Sequence, residues 1–232
     1  MEIFVDSANY KEIETWFRQG VVDGVTTNPS VMLKDGVLDI EAQVRRICAL
    51  LVDKPLSVEV TTNDREVMLE QARVFARWAP NVVVKIPVIN QSGESCLGVI
   101  HILRQEGIRI NCTAILSFNQ AILAAKAGAN YVSIFAGRVA DEGGDAPALI
   151  RSVRSWLDLW QHPSKIIVGS IRSTIDVQSA AMAGGHVITI PPQFFPKMVD
   201  HKYSRDTVRG FVADAEKAME AIEKEMALRS HR

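Results

Sequence analysis

Residues 82–88 read VVVKIPV, a run of β-branched side chains interrupted by Lys85 and closed by Pro87 and Val88. β-Branched residues fit a pleated strand better than a helix. Successive side chains on a strand point to opposite faces, so Lys85 lies on the face opposite Val84 and Ile86. A run this apolar belongs in a core, where lysine is rarely found without a partner. The strand raises a question of chemistry as well as of fold.

Similar runs recur along the chain at 2–6 (EIFVD), 21–27 (VVDGVTT), 56–61 (LSVEVT), 108–113 (IRINCT), 130–135 (NYVSIF), 165–170 (KIIVGS) and 186–190 (HVITI). Amphipathic stretches at 37–51, 63–79, 93–106, 117–128, 144–160 and 173–184 lie between them, with Gly107, Gly128 and Gly184 placed as helix stops. Alternating strands and helices in 232 residues predict an α/β protein, a single (β/α)8 TIM barrel with an extra C-terminal helix. A doubly wound open sheet fits the regular repeat less well. No Pro/Ser/Gly-rich linker divides the chain, so 1–232 reads as one domain. The last helix, about 204–228, carries a stripe of Val208, Phe211, Val212, Ala215, Met219, Ile222 and Met226 at helical spacing. That stripe needs a surface, either its own barrel or a neighbouring subunit.

Composition narrows the function. The chain is 47% hydrophobic with a net charge of −1 and no basic block, which points away from nucleic acid and from acidic membrane surfaces. Glu2 and Asp6 do not suit a signal peptide, and no apolar run approaches the ~20 residues of a membrane span. Cys48, Cys96 and Cys112 are widely spaced, as expected of reduced, buried thiols in a cytoplasmic protein. His101, His162, His186, His201 and His231 are scattered, so no metal site is expected. GxGxxG and GxxxxGK[ST] are absent, and DEGGD at 141–145 is too short and acidic to cradle a nucleotide, so no cofactor is expected. Trp16, Trp78, Trp156 and Trp160 read as helix packing residues, and PPQFFP at 191–196 as a loop able to close the barrel mouth.

The strands share a polar pattern. Arg109, Asn111 and Thr113 alternate with Ile108, Ile110 and Cys112. Glu59 sits between Val58 and Val60, Ser133 between Val132 and Ile134, and Ser170 between Gly169 and Ile171. Asp6 follows Val5, and Asn28 continues the parity of Thr26. Helices cover the outside of a barrel, so this polar set is expected inside, towards the C-terminal mouth where such barrels carry their sites. Any one of these residues alone reads as a hydrogen-bonded core group; seven strands of one parity read as a site.

A lysine among apolar walls has its ammonium form disfavoured, and a neutral amine can attack a carbonyl to give a Schiff base. The protonated imine is an electron sink that permits cleavage of a neighbouring C–C bond. Such chemistry needs a carboxyl group to move protons and polar groups to hold hydroxyls, needs that Glu59, Asp6, Asn28, Asn111, Thr113 and Ser133 meet. The competing reading is an ion pair of Lys85 with Asp6 or Glu59 that merely fills the barrel.

FVDSAN, GVTTNPS, SVEVTT, VVVKIP, INCTAILS, SIFAGRVAD and VGSIR, in that order, closely resemble the strand ends of transaldolases. The likeness is greatest to the short single-barrel forms related to fructose-6-phosphate aldolase, and it covers nearly the whole chain. The resemblance implies Lys85 as the Schiff-base nucleophile and Asp6 as acceptor of a hydroxyl proton when C3–C4 breaks. It implies Asn28, with Thr27 of the same motif, as contacts for the dihydroxyacetone unit. Asn111 and Thr113 fall on the family's INCT stretch, whose threonine helps place the catalytic water. The strand-three residue is glutamate in transaldolases and usually glutamine in the aldolases, and here it is Glu59. Ser133 and Phe135 stand where the aldolases tend to carry a small residue and a tyrosine.

The family's phosphate pocket falls on Arg138, Ser170 and Arg172. Two guanidinium forks and a hydroxyl suit a tetrahedral dianion. The other reading of these arginines is pairing with Asp141, Glu142 or Asp145. The expected activity is transfer of a dihydroxyacetone unit from a ketose phosphate (fructose 6-phosphate or sedoheptulose 7-phosphate) to an aldose phosphate, in the pentose phosphate pathway and without a cofactor. The alternatives are a fructose-6-phosphate aldolase-type lyase, or a transaldolase acting on a sulfonated ketose. The loop VADEGGDAP and Ala136 depart from the common family sequence and leave donor and acceptor open. The resemblance also implies a homo-oligomer, pentamer or decamer, with the 204–228 helix on a neighbouring subunit.

Overall fold

The computed structural model describes residues 1–230; His231 and Arg232 lie outside them. Eight strands run β1 (Glu2–Asp6), β2 (Gly24–Thr26), β3 (Leu56–Glu59), β4 (Val82–Pro87), β5 (Ile110–Ile115), β6 (Tyr131–Phe135), β7 (Lys165–Gly169) and β8 (Val187–Ile190). They close into a parallel barrel in chain order, with β8 pairing back onto β1 from Glu2↔Val187 to Val5↔Ile190. Helices alternate with the strands, and this is the (β/α)8 TIM barrel that the repeat predicts. Each expected strand is present, although β2 is confined to Gly24–Thr26 and β5 begins two residues later than its apolar run.

Local chemistry starts the helices. Asn9, Asp39, Asp64, Ser117, Asp145 and Ser173 each accept a first-turn backbone N–H, the role for which these short polar side chains are favoured. Gly107, Gly128 and Gly184 all take positive φ (79°, 107° and 92°), as expected of helix stops. Three helices between the strands fall outside the amphipathic stretches, Tyr10–Phe17, Pro29–Lys34 and Ala136–Asp141; at eight residues for the first and six for the others they are short for a helical period to show.

The barrel interior has two layers. Below, Phe4, Ile167 and Val187 form a buried cluster with Tyr131 against it. Gly24 makes room for this plug, since a Cβ there would lie 2.7 Å from the Phe4 ring. Above, one alternation further along the strands, come Asp6, Thr26, Glu59, Lys85, Ser133 and Thr189, all on the wall of one cavity. The polar parity is therefore real, with two corrections. Arg109 precedes β5 at the opposite end of the barrel, where its guanidinium donates to the Pro80 carbonyl. Strand alternation would put Ser170 on the outward face with Ile166 and Val168. It lies instead just past β7 with φ 60°, and that left-handed turn places it on the cavity wall.

The chain forms two compact units, Met1–Pro192 and one beginning at Gln193. The PPQFFP stretch runs across that boundary and is ordered as a 3₁₀ turn, Pro192–Phe194, followed by the helix Phe195–Val199. The helix Lys202–Ser230 is longer than expected, and none of its residues is buried. Its apolar stripe, including Val208, Phe211, Met219 and Ile222, is exposed. No helix among the described residues is long and apolar enough to cross a membrane. The three cysteines are free and buried, and burial pushes the Cys48 thiol up to about 12.

Candidate active site

The strand register assembles the centre. Glu59 on β3 pairs with Lys85 on β4, which pairs in turn with Asn111 on β5. Their side chains share the inward face, and Lys85 is only 4% exposed. Its Nζ lies 2.8 Å from Glu59 Oε2 and donates to the Thr27 carbonyl at 3.2 Å. The lysine is thus paired rather than a lone amine among apolar walls. Glu59 keeps 20% of its side chain exposed and also lines the cavity, so it can face both the amine and a bound molecule.

Asp6 ends β1 on the same wall. It accepts a hydrogen bond from Thr26 Oγ1 at 2.9 Å. Burial raises its carboxyl above the ordinary aspartate range, and Asp35 adds to this, while Lys85 and the Thr26 hydroxyl pull it back. A carboxylate so placed accepts a proton more readily than a solvated one.

The amides are fixed by their neighbours. Asn28 caps the helix Pro29–Lys34, its Oδ1 accepting from the Val31 N–H at 2.9 Å, which leaves its NH₂ for the cavity. Thr27 instead turns its hydroxyl to the Ser57 carbonyl at 2.8 Å, and its contribution to the centre is its own carbonyl. Asn111 is fully buried between two serines, accepting from Ser133 Oγ at 2.7 Å and donating to Ser57 Oγ at 3.1 Å. Ser133 lines the cavity, whereas Asn111 is behind it.

Thr113 has a different setting. A bulge on β5 lies between Cys112↔Val132 and Ile115↔Ile134, with Ala114 at φ 59°. Bulges re-aim side chains beside sites. The Thr113 hydroxyl is buried and has no hydrogen-bond partner among the described residues, a rare condition, and Thr113 is not among the residues that line the cavity.

At the outer rim Phe135, Arg138 and Ser170 line the cavity. Gly137 permits this, because a Cβ there would lie 2.3 Å from the Ser170 carbonyl oxygen and 2.8 Å from Arg172 Nε. Arg172 does not join the cavity wall. Its two terminal nitrogens grip the two carboxylate oxygens of Asp141, the pairing that the acidic loop allowed for, and this holds Asp141 below the ordinary carboxylate range. Arg138 Nη1 lies 3.8 Å from the same carboxylate.

The cavity measures about 490 Å³, within the range of small-molecule sites. It brings together Lys85, Glu59, Asp6, Asn28, Ser133, Phe135, Arg138 and Ser170. Thr26 and Thr189 also line it and were missed as site residues. Thr189 is the one polar residue of VITI in β8, and its alternation with Ile188 and Ile190 was the available signal. Among the described residues no group of three or more His, Cys, Asp and Glu side chains is placed to hold a metal ion.

Residues 3–231 match the family model described as transaldolase/fructose-6-phosphate aldolase. A Listeria monocytogenes protein named "Probable transaldolase 2" is 42% identical over 216 residues, 93% of this chain and 96% of that one. A Streptococcus pyogenes "Probable transaldolase" is 42% identical over 214 residues, 92% and 97% of the two chains. Among solved structures, a mandelate oxidase variant superposes with a TM-score of 0.59 at 15% identity, over 82% of this chain. This chain spans 64% of that oxidase, and the likeness is one of fold alone. The chain belongs to the transaldolase/fructose-6-phosphate aldolase family.

Proposed function

We propose that this member of the family is a transaldolase that moves a dihydroxyacetone unit from a ketose phosphate to an aldose phosphate through a Schiff base on Lys85. The observation that carries the reading is the buried Lys85–Glu59 pair at 2.8 Å, opening on the cavity that Asp6 lines. Glu59 takes a proton from the Lys85 ammonium, and the freed lone pair attacks the ketose C2 carbonyl. Loss of water gives the protonated imine. Asp6 then takes the proton of the C4 hydroxyl as the C3–C4 bond breaks, its electron pair flows into the imine, and an aldehyde leaves. The enamine waits on Lys85. An acceptor aldehyde forms the new C–C bond, Asp6 returns its proton to the new hydroxyl, and water held near Thr113 releases the product ketose.

Asn28 and Ser133 hold the hydroxyls of the three-carbon unit, with Asn111 fixing Ser133 and Thr27 steadying the lysine. Arg138 and Ser170 meet the distal phosphate, and Arg172 joins them when its grip on Asp141 yields. Glu59 and Phe135 favour transfer over release of free dihydroxyacetone: Phe135 at the cavity rim has no proton to donate to the enamine. We place the enzyme in the cytoplasm, in carbohydrate metabolism, with 1–232 acting as one domain. Its exposed Lys202–Ser230 stripe is covered by a neighbouring subunit of a homo-oligomer.

The test is borohydride reduction in the presence of fructose 6-phosphate, followed by intact and peptide mass spectrometry. A reduced three-carbon adduct on Lys85 is expected, and labelling of no residue by any ketose would sink the reading. Product analysis with and without erythrose 4-phosphate separates transfer from the lyase alternative. A sulfonated ketose that labels Lys85 where fructose 6-phosphate does not would change only the substrate.

A further inference from the structure

Three strands meet at Asp6 in an arrangement that the motif residues do not explain. β1 lies between β2 and β8, with Asp6↔Thr26 in register on one side and Phe4↔Thr189 on the other. Thr26 Oγ1 is 2.9 Å from Asp6 Oδ1 and 2.5 Å from Thr189 Oγ1. The two threonines are 2% and 5% exposed. We propose that Thr189 is a positioning residue that acts through Thr26 on Asp6, completing a hydroxyl chain that holds the Asp6 carboxylate ready to accept the substrate proton.

The direction of the chain follows from proton count. A threonine hydroxyl carries one proton. With Asp6 ionised, Thr26 must spend its proton on the carboxylate, and the close Thr26–Thr189 contact is then a bond only if Thr189 donates. Each donor polarises the next, so the chain strengthens the charge-assisted bond to Asp6 beyond what Thr26 offers alone. When Asp6 has taken a proton, Thr26 can accept from it and donate to Thr189, which lines the cavity. The charged groups around Asp6 are Lys85 and Glu59 from β4 and β3, with Lys34 and Asp35 at the end of the helix after β2. None is supplied by β8, so a change at Thr189 alters no charge. Thr189 is not itself a catalytic residue here; it works at one remove.

This inference rests on the transaldolase reading, and its test separates the two. Thr189→Val keeps the shape and removes the hydroxyl; Thr189→Ser keeps the hydroxyl. The expected result for Thr189→Val is a fall in kcat of about threefold to tenfold with KM little changed. The limb of the pH–rate profile assigned to Asp6 moves to higher pH, because the ionised form has lost its polarised donor. Thr189→Ser should restore both. Thr26→Val should show a larger shift, to which adding Thr189→Val contributes nothing further. If borohydride traps the Lys85 adduct equally in parent and Thr189→Val while their pH profiles superpose, the chain is overturned and the transaldolase reading stands. If Thr189→Ser behaves as Thr189→Val, the residue acts by packing and the proposal fails. If no variant and no parent enzyme forms the adduct, the reading beneath it falls and takes this inference with it.

Discussion

Glu59 and Lys85 are register partners on adjacent strands, and the carboxylate Oε2 of one lies 2.8 Å from the Nζ of the other. Parallel pairing puts both on the inward face at one level of the barrel, so the contact is set by the sheet rather than by flexible side chains. Glu59→Gln keeps a hydrogen-bonding group of the same size but removes the site of proton transfer. Its kcat should fall by about 10²–10⁴-fold, the usual worth of a positioned acid or base. Rapid-quench measurement of imine formation is the check, and an unchanged rate would remove Glu59 from that step. Lys85→Met should give no borohydride adduct at all.

Asp6 makes a prediction about stability as a function of pH. An aspartate ordinarily titrates near 3.8, and burial holds Asp6 protonated to higher pH in the folded chain. Between those two points the folded form binds more protons than the unfolded one. Stability from this group therefore falls as pH rises through that window and stays lower above it. Asp6→Asn abolishes the ionised form. Its denaturant midpoint should exceed the parent's at neutral pH and converge with it below pH about 4, while turnover is lost. Equal midpoints at neutral pH would argue against the burial penalty.

Asp141 occupies the fork of Arg172 and stands near Arg138. Asp141→Asn should free Arg172 for the substrate anion and lower KM for phosphorylated ketoses, by about fivefold or less because the pair is exposed. Non-phosphorylated ketoses should show no change. Arg138→Ala should raise KM for the phosphorylated substrate only. Steady-state kinetics on the two substrate types decides both points.

Gly137 is a packing requirement at the rim. Gly137→Ala forces a Cβ to 2.3 Å from the Ser170 carbonyl oxygen, so backbone must shift. The expected cost is about 1–3 kcal/mol of stability by chemical denaturation, with a higher KM for phosphorylated substrates as Ser170 and Arg172 move. A variant with parental stability and KM would show that this contact is dispensable.

Much of the barrel is legible along the chain because its signals are local. β-Branched runs, apolar helix faces and glycine stops depend on neighbours a few residues away. The short helices Pro29–Lys34 and Ala136–Asp141 escape this reading because six residues carry too little of a period. Thr189 was legible by the same alternation that exposed Lys85. Thr26 was recognised for its parity but not as the partner of Asp6, since that partnership crosses from β2 to β1.

By itself the sequence determined that strands and helices alternate, that Lys85 sits within a core strand, and that polar residues of one parity line its neighbours. Strand geometry makes these consequences of residue order. Tertiary structure decided what each polar group touches. Lys85 had two carboxylates on offer and pairs with Glu59, because β3 and β4 are in register at that level. Arg172 had three acids within reach of the loop and pairs with Asp141. Ser170 reaches the cavity through a left-handed turn that strand alternation cannot foresee, and Thr189 meets Thr26 only because the barrel closes on β1. Backbone periodicity is carried within a few residues, whereas a hydrogen-bond partner is chosen by strands that closure brings together from opposite ends of the chain.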